Sequence, residues 1–387
     1  MKEKRYSRRQ LVLSVLAGFL AALALLTGLL WALLGTQGLA LLGGWGLTRA
    51  LFVGDYEPDT AADVALYGLA TGLGDRWSYY VDAEGLRALT RSRSNTYVGI
   101  GVTVSYADER GLLVESVTGG GPAERAGILP GELIVAVDGH DAAGEARYEA
   151  VELMRGEEGT DMALTLLDEA GNRREVTVKR AAIRTRPVTW EMLEGQVGYV
   201  ALANFNTGVA GEVNTAVDEL VAQGAKSLLF DVRNNGGGYV DELTSILDHL
   251  LPRGPIFRSK GNWGWEHVAQ SDEAGVDLPM GVLVNGDTYS AAEFLAAQLR
   301  ESAGAVVVGE PTFGKGYSQQ TFPLPNGGAL NFSTEKYYTG GGVSLIGTGV
   351  TLDAEITLDE ETGAALRAKT LPRDQDPQLQ KALELLG

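Results

Sequence analysis

Residues 280–302 read MGVLVNGDTYSAAEFLAAQLRES. An unbroken apolar run enters a tight polar turn, and an alanine-rich stretch with helical spacing follows it. A strand apolar on both faces belongs in a sheet covered on both sides, where strands alternate with helices. At the mouth of the helix stands one serine, Ser290. A helix places its N-cap there, and an enzyme with a serine nucleophile would place it there too. The stretch alone supports either reading.

The same rhythm extends outward on both sides. VGYVALANF (197–205), KSLLFDV (226–232), MGVLVN (280–285) and AVVVGE (305–310) read as strands. Amphipathic helices at 208–224, 239–251 and 290–302 separate them. This predicts an α/β core with a mostly parallel sheet, and ligand sites in such sheets lie beyond the carboxyl ends of the strands. NNGGG (234–238) and GDTYS (286–290) both fall there.

Before the core the period changes. Residues 97–183 read as short strands with turn residues between them and one substantial helix, ARYEAVELMRG (146–156). Residues 41 to about 90 read as helical, with Trp77, Tyr79 and Tyr80 taken as packing. Residues 11–35 carry no charge. As a helix they would extend about 37 Å, enough for a hydrocarbon core of about 30 Å. A cleaved signal peptide has a shorter apolar region ending in a small-x-small site. The reading adopted is an uncleaved signal anchor at 11–35, with the basic tail 1–10 in the cytoplasm and the body outside it.

Composition removes several classes. There is no cysteine, hence no thiol nucleophile or iron–sulfur cluster, which suits an oxidising compartment. The three histidines, His140, His249 and His267, fall in no metal-ligand spacing, so no metal or cofactor is expected. Of 32 basic and 50 acidic side chains, five and one lie in the first ten positions. The rest of the chain holds 27 against 49, a net of −22. So acidic a body repels nucleic acid, and none is expected as a partner.

Three neighbours shift the reading of Ser290. The glycines of NNGGG let backbone amides converge at a helix N-terminus, where with the amide of Ala291 they could hold an oxyanion. Lys315, in TFGKGYSQQ (312–320), follows the serine by one helix and one strand. Desolvated beside Phe313, its amine would become neutral enough to deprotonate an alcohol. Gln319 lies four residues further on and could hold that amine. A capping serine, a solvated lysine and a surface amide are the ordinary alternatives. No GxSxG elbow occurs, and no histidine lies within 285–320.

DVRNNGGGYVDE, VLVNGDTYSAAE, VVVGEPTFGKGYSQQ and YYTGGG resemble, in order and spacing, the signature blocks of the carboxyl-terminal processing (tail-specific) proteases of the S41 peptidase family. YVGIGV and GGGPAERAGILPGELIVAVDG resemble that family's inserted PDZ domain, and DPQLQKALELL resembles its C-terminal end. The resemblance implies a ClpP/crotonase-like α/β protease core at 187–372 and a β-rich PDZ domain at 97–183. A helical region at 41–96 and a helical tail at 373–387 complete the organisation. It further implies Ser290 as nucleophile, Lys315 as general base and Gln319 as its orienting group. The oxyanion would rest on amides around Gly237, Gly238 and Ala291. The segment Tyr97, Val98, Gly99, Ile100 and Gly101 would take a peptide's C-terminal carboxylate, with Arg155 relaying occupancy.

Three positions depart from the pattern. Tyr289 replaces a small residue, while Gly236 and Leu352 replace prolines. The implied function is a single-pass membrane serine endopeptidase cutting protein substrates near a free C-terminus, and a homodimer is left open. The competing readings are a catalytically inactive PDZ-containing peptide-binding membrane protein on a protease scaffold, and a phosphate- or nucleotide-binding domain using NNGGG. The last lacks a P-loop.

Overall fold

The computed structural model describes residues 7–272 and 275–387. Most of the basic N-terminal cluster, residues 1–6, lies outside the described residues. The chain divides into two compact units, Met1–Ala62 and Asp63–Gly387.

The first unit is dominated by α1, Arg8–Leu51. Ser7 opens it with a reciprocal capping box to Gln10, at 3.2 and 3.0 Å. Gly35, the last residue of the 11–35 span, breaks the helical dihedrals with φ 61°. None of its side chains is buried, and the helix is long and apolar enough to cross a membrane, a test that an N-terminal signal sequence also passes.

The helix α2, Pro58–Gly72, leads into the second unit. Next come β1, Tyr79–Val81, and α3, Ala83–Arg93, which Asp82 caps. The expected helical region is therefore interrupted. The aromatic, β-branched run Tyr79–Val81 pairs antiparallel with a later strand, because such residues fit a pleated surface better than a helix.

A second core follows. It is built on β2 (Thr96–Gly99), β3 (Val102–Ser105), β4 (Leu112–Val117), α4 (Pro122–Arg125), β5 (Leu133–Val137), β6 (His140–Asp141), α5 (Ala146–Leu153), β7 (Asp161–Leu167), β8 (Arg173–Lys179) and β9 (Ala181–Arg184). Its sheet runs β3-β4-β5-β7-β8, entirely antiparallel, with β3 at one edge. Ile100, Leu112, Ile134, Leu164 and Leu166 fill its interior.

The largest core comprises β10 (Val188–Leu193), β11 (Val197–Leu202), α6 (Val209–Ala222), β12 (Ser227–Asp231) and α7 (Val240–Leu250). The antiparallel β13 (Gly254–Gly261) and β14 (Glu266–Ser271) intervene before β15 (Met280–Val284), α8 (Ala291–Ala303) and β16 (Val306–Gly309). After them come β17 (Tyr317–Pro323), β18 (Ala329–Tyr338), β19 (Ala354–Glu355), α9 (Glu360–Arg367) and α10 (Pro377–Leu386).

The strands β11, β12, β15, β16 and β19 run parallel, and β10 closes one edge antiparallel. Every residue of β12 and β15 is buried because both faces are covered. Leu228, Phe230, Val282 and Val284 face the core shared with α6, α7 and α8, while Leu229 and Leu283 pack with Leu379 and Ala382 of α10. A second, antiparallel sheet is formed by β1, β13, β14, β17 and β18. Along β18, β1 and β13 share one edge and β17 takes the other.

Candidate active site

The turns after β12 and β15 are stitched to one another. Asn285 Oδ1 accepts from the Asn234 amide and Asn285 Nδ2 donates to Asn234 Oδ1, both at 2.9 Å. Thr288 Oγ1 donates to Val232 O at 2.8 Å, and the Tyr289 amide donates to Asn235 O at 3.2 Å. Gly237, at φ 86°, fits closely: a Cβ there would lie 2.8 Å from both the Ser290 Cβ and the Ala291 nitrogen. Two of the departures in the sequence are linked here. A Cβ on Gly236 would meet the Tyr289 Oη at 2.5 Å, so the Tyr289 ring fills space that a bulkier residue at 236 would need.

Ser290 occupies the N-cap position of α8, yet its hydroxyl makes no capping bond. Its backbone sits at φ 59°, ψ −128°, a region L-residues avoid, which costs of order 1–3 kcal/mol. Strain without a cap is what a nucleophile on a sharp strand-to-helix turn would show, and an ordinary N-cap needs neither. The side chain instead interacts with the Tyr337 phenol, which donates to Lys315 O at 2.7 Å.

Lys315 precedes β17 and is 8 % exposed. Burial pulls its amine down from 10.5 to about 8, opposed by Asp75 and Glu293 and reinforced by Arg93. Nζ donates to Gln319 Oε1 at 2.7 Å and lies 4.2 Å from the centroid of the Trp77 ring. Gln319, on β17, is held in turn by Tyr317 O at 2.9 Å and Ser333 Oγ at 3.0 Å. Among the described residues the amine's hydrogen bond is the one to Gln319, and none joins it to Ser290.

One cavity of about 790 Å³ gathers Ser290, Ala291, Lys315, Gln319, Gly237 and Gly238. No histidine lines it. Trp77 and Tyr289 line it, and with Phe313 they form an aromatic trio with centroids 5.4–5.8 Å apart. The reading of Trp77 as mere packing needs correcting, since its ring covers the amine. The Gly237 amide donates to Asn235 Oδ1 at 2.8 Å.

Glu293 is the site residue that sequence reasoning passed over. Fully buried on α8, it accepts from the amides of Gly314 and Lys315 at 2.7 and 3.0 Å and from Thr312 Oγ1. Ser290-x-x-Glu293 has the spacing of a capping box, but the acid tethers the lysine loop instead. Burial raises its pKa. Behind NNGGG, buried Arg233 pairs with Asp231 at 2.6 Å and Asp376 at 2.8 Å.

The residues implied for peptide binding lie apart from this cavity. Tyr97, Val98 and Gly99 are on β2, paired with β9, and Ile100 is buried. Gly101, at φ 81°, turns the chain into β3. Arg155 is exposed at the end of α5, paired with Glu152 at 3.2 Å, and its charge reaches the Tyr97 phenol.

The sequence pattern of peptidase family S41 matches residues 196–356, and that of a PDZ domain matches 113–168. The carboxy-terminal processing protease CtpA of Bacillus subtilis is 33% identical over 288 residues, covering 74% of this chain and 62% of the relative. The chloroplastic C-terminal processing peptidase of Tetradesmus obliquus is 30% identical over 311 residues, covering 76% and 67%. The chain thus spans roughly two thirds of the length of these relatives. A solved structure described as an S41 protease of Bacteroides fragilis shares the fold at TM-score 0.56 and 18% identity, covering 87% of this chain and 92% of that one. The chain belongs to peptidase family S41.

Proposed function

We propose that this protein is a membrane-anchored serine endopeptidase, acting outside the cytoplasm, that cleaves protein substrates near their C-termini with a Ser290–Lys315 dyad. The observation that carries the reading is a strained, uncapped serine sharing one cavity with a buried lysine whose amine is brought to about 8.

In this reading the neutral Lys315 amine takes the proton as Ser290 Oγ attacks the scissile carbonyl carbon. The oxyanion rests on the amides of Gly238 and Ala291, with Gly237 supplying the close backbone approach. The resulting ammonium returns its proton to the departing amine, and water then splits the acyl-enzyme by the same base. Gln319 orients the amine throughout. The hydroxyl–amine bond forms only when substrate closes the site, since catalytic hydrogen bonds are often long in free enzymes. Leu86, Leu89, Val240, Leu243 and Phe257 line the cavity's apolar part and suit an apolar side chain at the cut.

The protease core is assigned to 187–372, with a ClpP/crotonase-like architecture, the PDZ domain to 97–183, and the C-terminal tail to 373–387. A peptide would add as a strand to the edge of β3, its carboxylate taken by amides of Tyr97 to Gly101, with Arg155 reporting occupancy. The apolar α1 would serve as the uncleaved anchor.

The test is turnover of casein, an unstructured polypeptide. Ser290→Ala and Lys315→Ala should each lower kcat by at least about a thousandfold, and the double variant should lose little more, because the two act as a unit. Turnover by Ser290→Ala at the wild-type rate would reject the reading.

A further inference from the structure

Beyond the serine, the lysine and its glutamine, one short segment far away in sequence reaches the amine from two directions. Asp75 Oδ2 accepts from Ser78 Oγ at 2.5 Å, and Ser78 Oγ in turn accepts from the Ser333 amide at 3.3 Å. Ser333 Oγ accepts from Gln319 Nε2 at 3.0 Å, and Gln319 Oε1 accepts from Lys315 Nζ at 2.7 Å. Hydrogen bonds through Ser78, Ser333 and Gln319 therefore link Asp75 to the amine. From the other side the Trp77 ring lies face-on to Nζ at 4.2 Å. The segment is not loosely laid: Tyr79 to Val81 pair with Asn331 to Ala329 of β18, and Asn331 Nδ2 donates to Trp77 O at 3.2 Å.

We propose that Asp75 and Trp77 are the positioning residues of the Lys315 amine, Asp75 fixing it through Ser333 and Gln319, and Trp77 closing its face to water. The inference rests on the serine–lysine reading but concerns residues which that reading leaves unused. Their effects on the amine have opposite signs. Asp75 supplies a nearby negative charge that favours the ammonium, whereas the Trp77 ring excludes water and so favours the neutral amine more than its cation–π attraction favours the charged one. The remaining groups around Nζ are Glu293 from α8, Arg93 from α3, the Tyr289 ring at 6.0 Å and Arg76, whose guanidinium lies 5.0 Å from the Trp77 ring centroid. The Tyr337 phenol of β18 closes the site from beneath.

Two readouts test this. The first is the pH dependence of Lys315 acetylation by acetic anhydride, followed by mass spectrometry in full-length Ser290→Ala protein, which needs no catalysis. The second is the pH profile of kcat/KM on casein. Asp75→Asn should lower the midpoint of the amine and raise its neutral fraction at pH 7 by about threefold, a half-unit change. Trp77→Ala should move the midpoint upward and reduce that fraction by a similar factor, and Trp77→Phe should restore it. Ser333→Ala, which cuts the chain but keeps the charge, should lower kcat several-fold at unchanged KM, and it serves if Asp75→Asn does not fold. Midpoints unchanged in both Asp75→Asn and Trp77→Ala would overturn the inference, even if activity fell. Wild-type turnover by Lys315→Ala would instead reject the dyad and leave the acetylation result standing.

Discussion

An amine moved from water into a cavity walled by Trp77, Tyr289 and Tyr337 favours its neutral form, and that preference has a stability cost. The folded protein holds Lys315 at about 8, below its ordinary 10.5. Below pH 8 the native state must carry the charge in poor surroundings, so the whole penalty applies. Between 8 and 10.5 the unfolded chain binds more protons, and the penalty fades as pH rises. Lys315→Met should therefore stabilise the protein by roughly 3 kcal/mol at pH 7, a gain that vanishes above about pH 11, while abolishing turnover. Urea unfolding at the two pH values measures it. With Lys315 as the proposed base, wild-type kcat/KM should climb about tenfold per pH unit below 8 and level off above it.

At the scale of elements, the turns work because neighbouring elements pin them. Glu293 ties α8 to the loop carrying Lys315 through two backbone amides and the Thr312 hydroxyl. Glu293→Gln points an amide donor at donors and leaves one unsatisfied, at about 1–3 kcal/mol. Steady-state kinetics should show kcat falling by at least about tenfold with KM little changed. Behind the glycine turn, Arg233 bridges Asp231 of β12 to Asp376, which caps α10. Arg233→Met strands two buried carboxylates and should cost about 3–5 kcal/mol in urea unfolding.

Much of this scaffold was legible in advance. Continuous apolar strands between amphipathic helices announced the parallel core, and Ser290, Lys315 and Gln319 do line one cavity. The antiparallel sheet of β1, β13, β14, β17 and β18 was not legible. Its strands, such as YSQQTFP and EHVAQS, are half-exposed and polar, so they lack the apolar period that marks a strand. Trp77 was missed for a related reason. Its partner lies 238 positions away, and no local pattern encodes such a contact.

At the scale of the whole molecule, the chain should stay in the membrane fraction after a carbonate wash, held by α1. Release into the supernatant would mean that α1 is removed as a signal sequence. The PDZ assignment also predicts chemistry at the substrate's end. Amidating the C-terminus of a peptide substrate should raise KM several-fold, because the loop from Tyr97 to Gly101 loses the carboxylate it would bind. Equal KM for the free acid and the amide would remove that domain from substrate capture.

The most direct test of the central claim is the rate at which a fluorophosphonate phosphonylates Ser290 as a function of pH. The rate should rise with a midpoint near 8 and collapse in Lys315→Ala. Labelling that is independent of pH, or equally fast without the lysine, would contradict that claim.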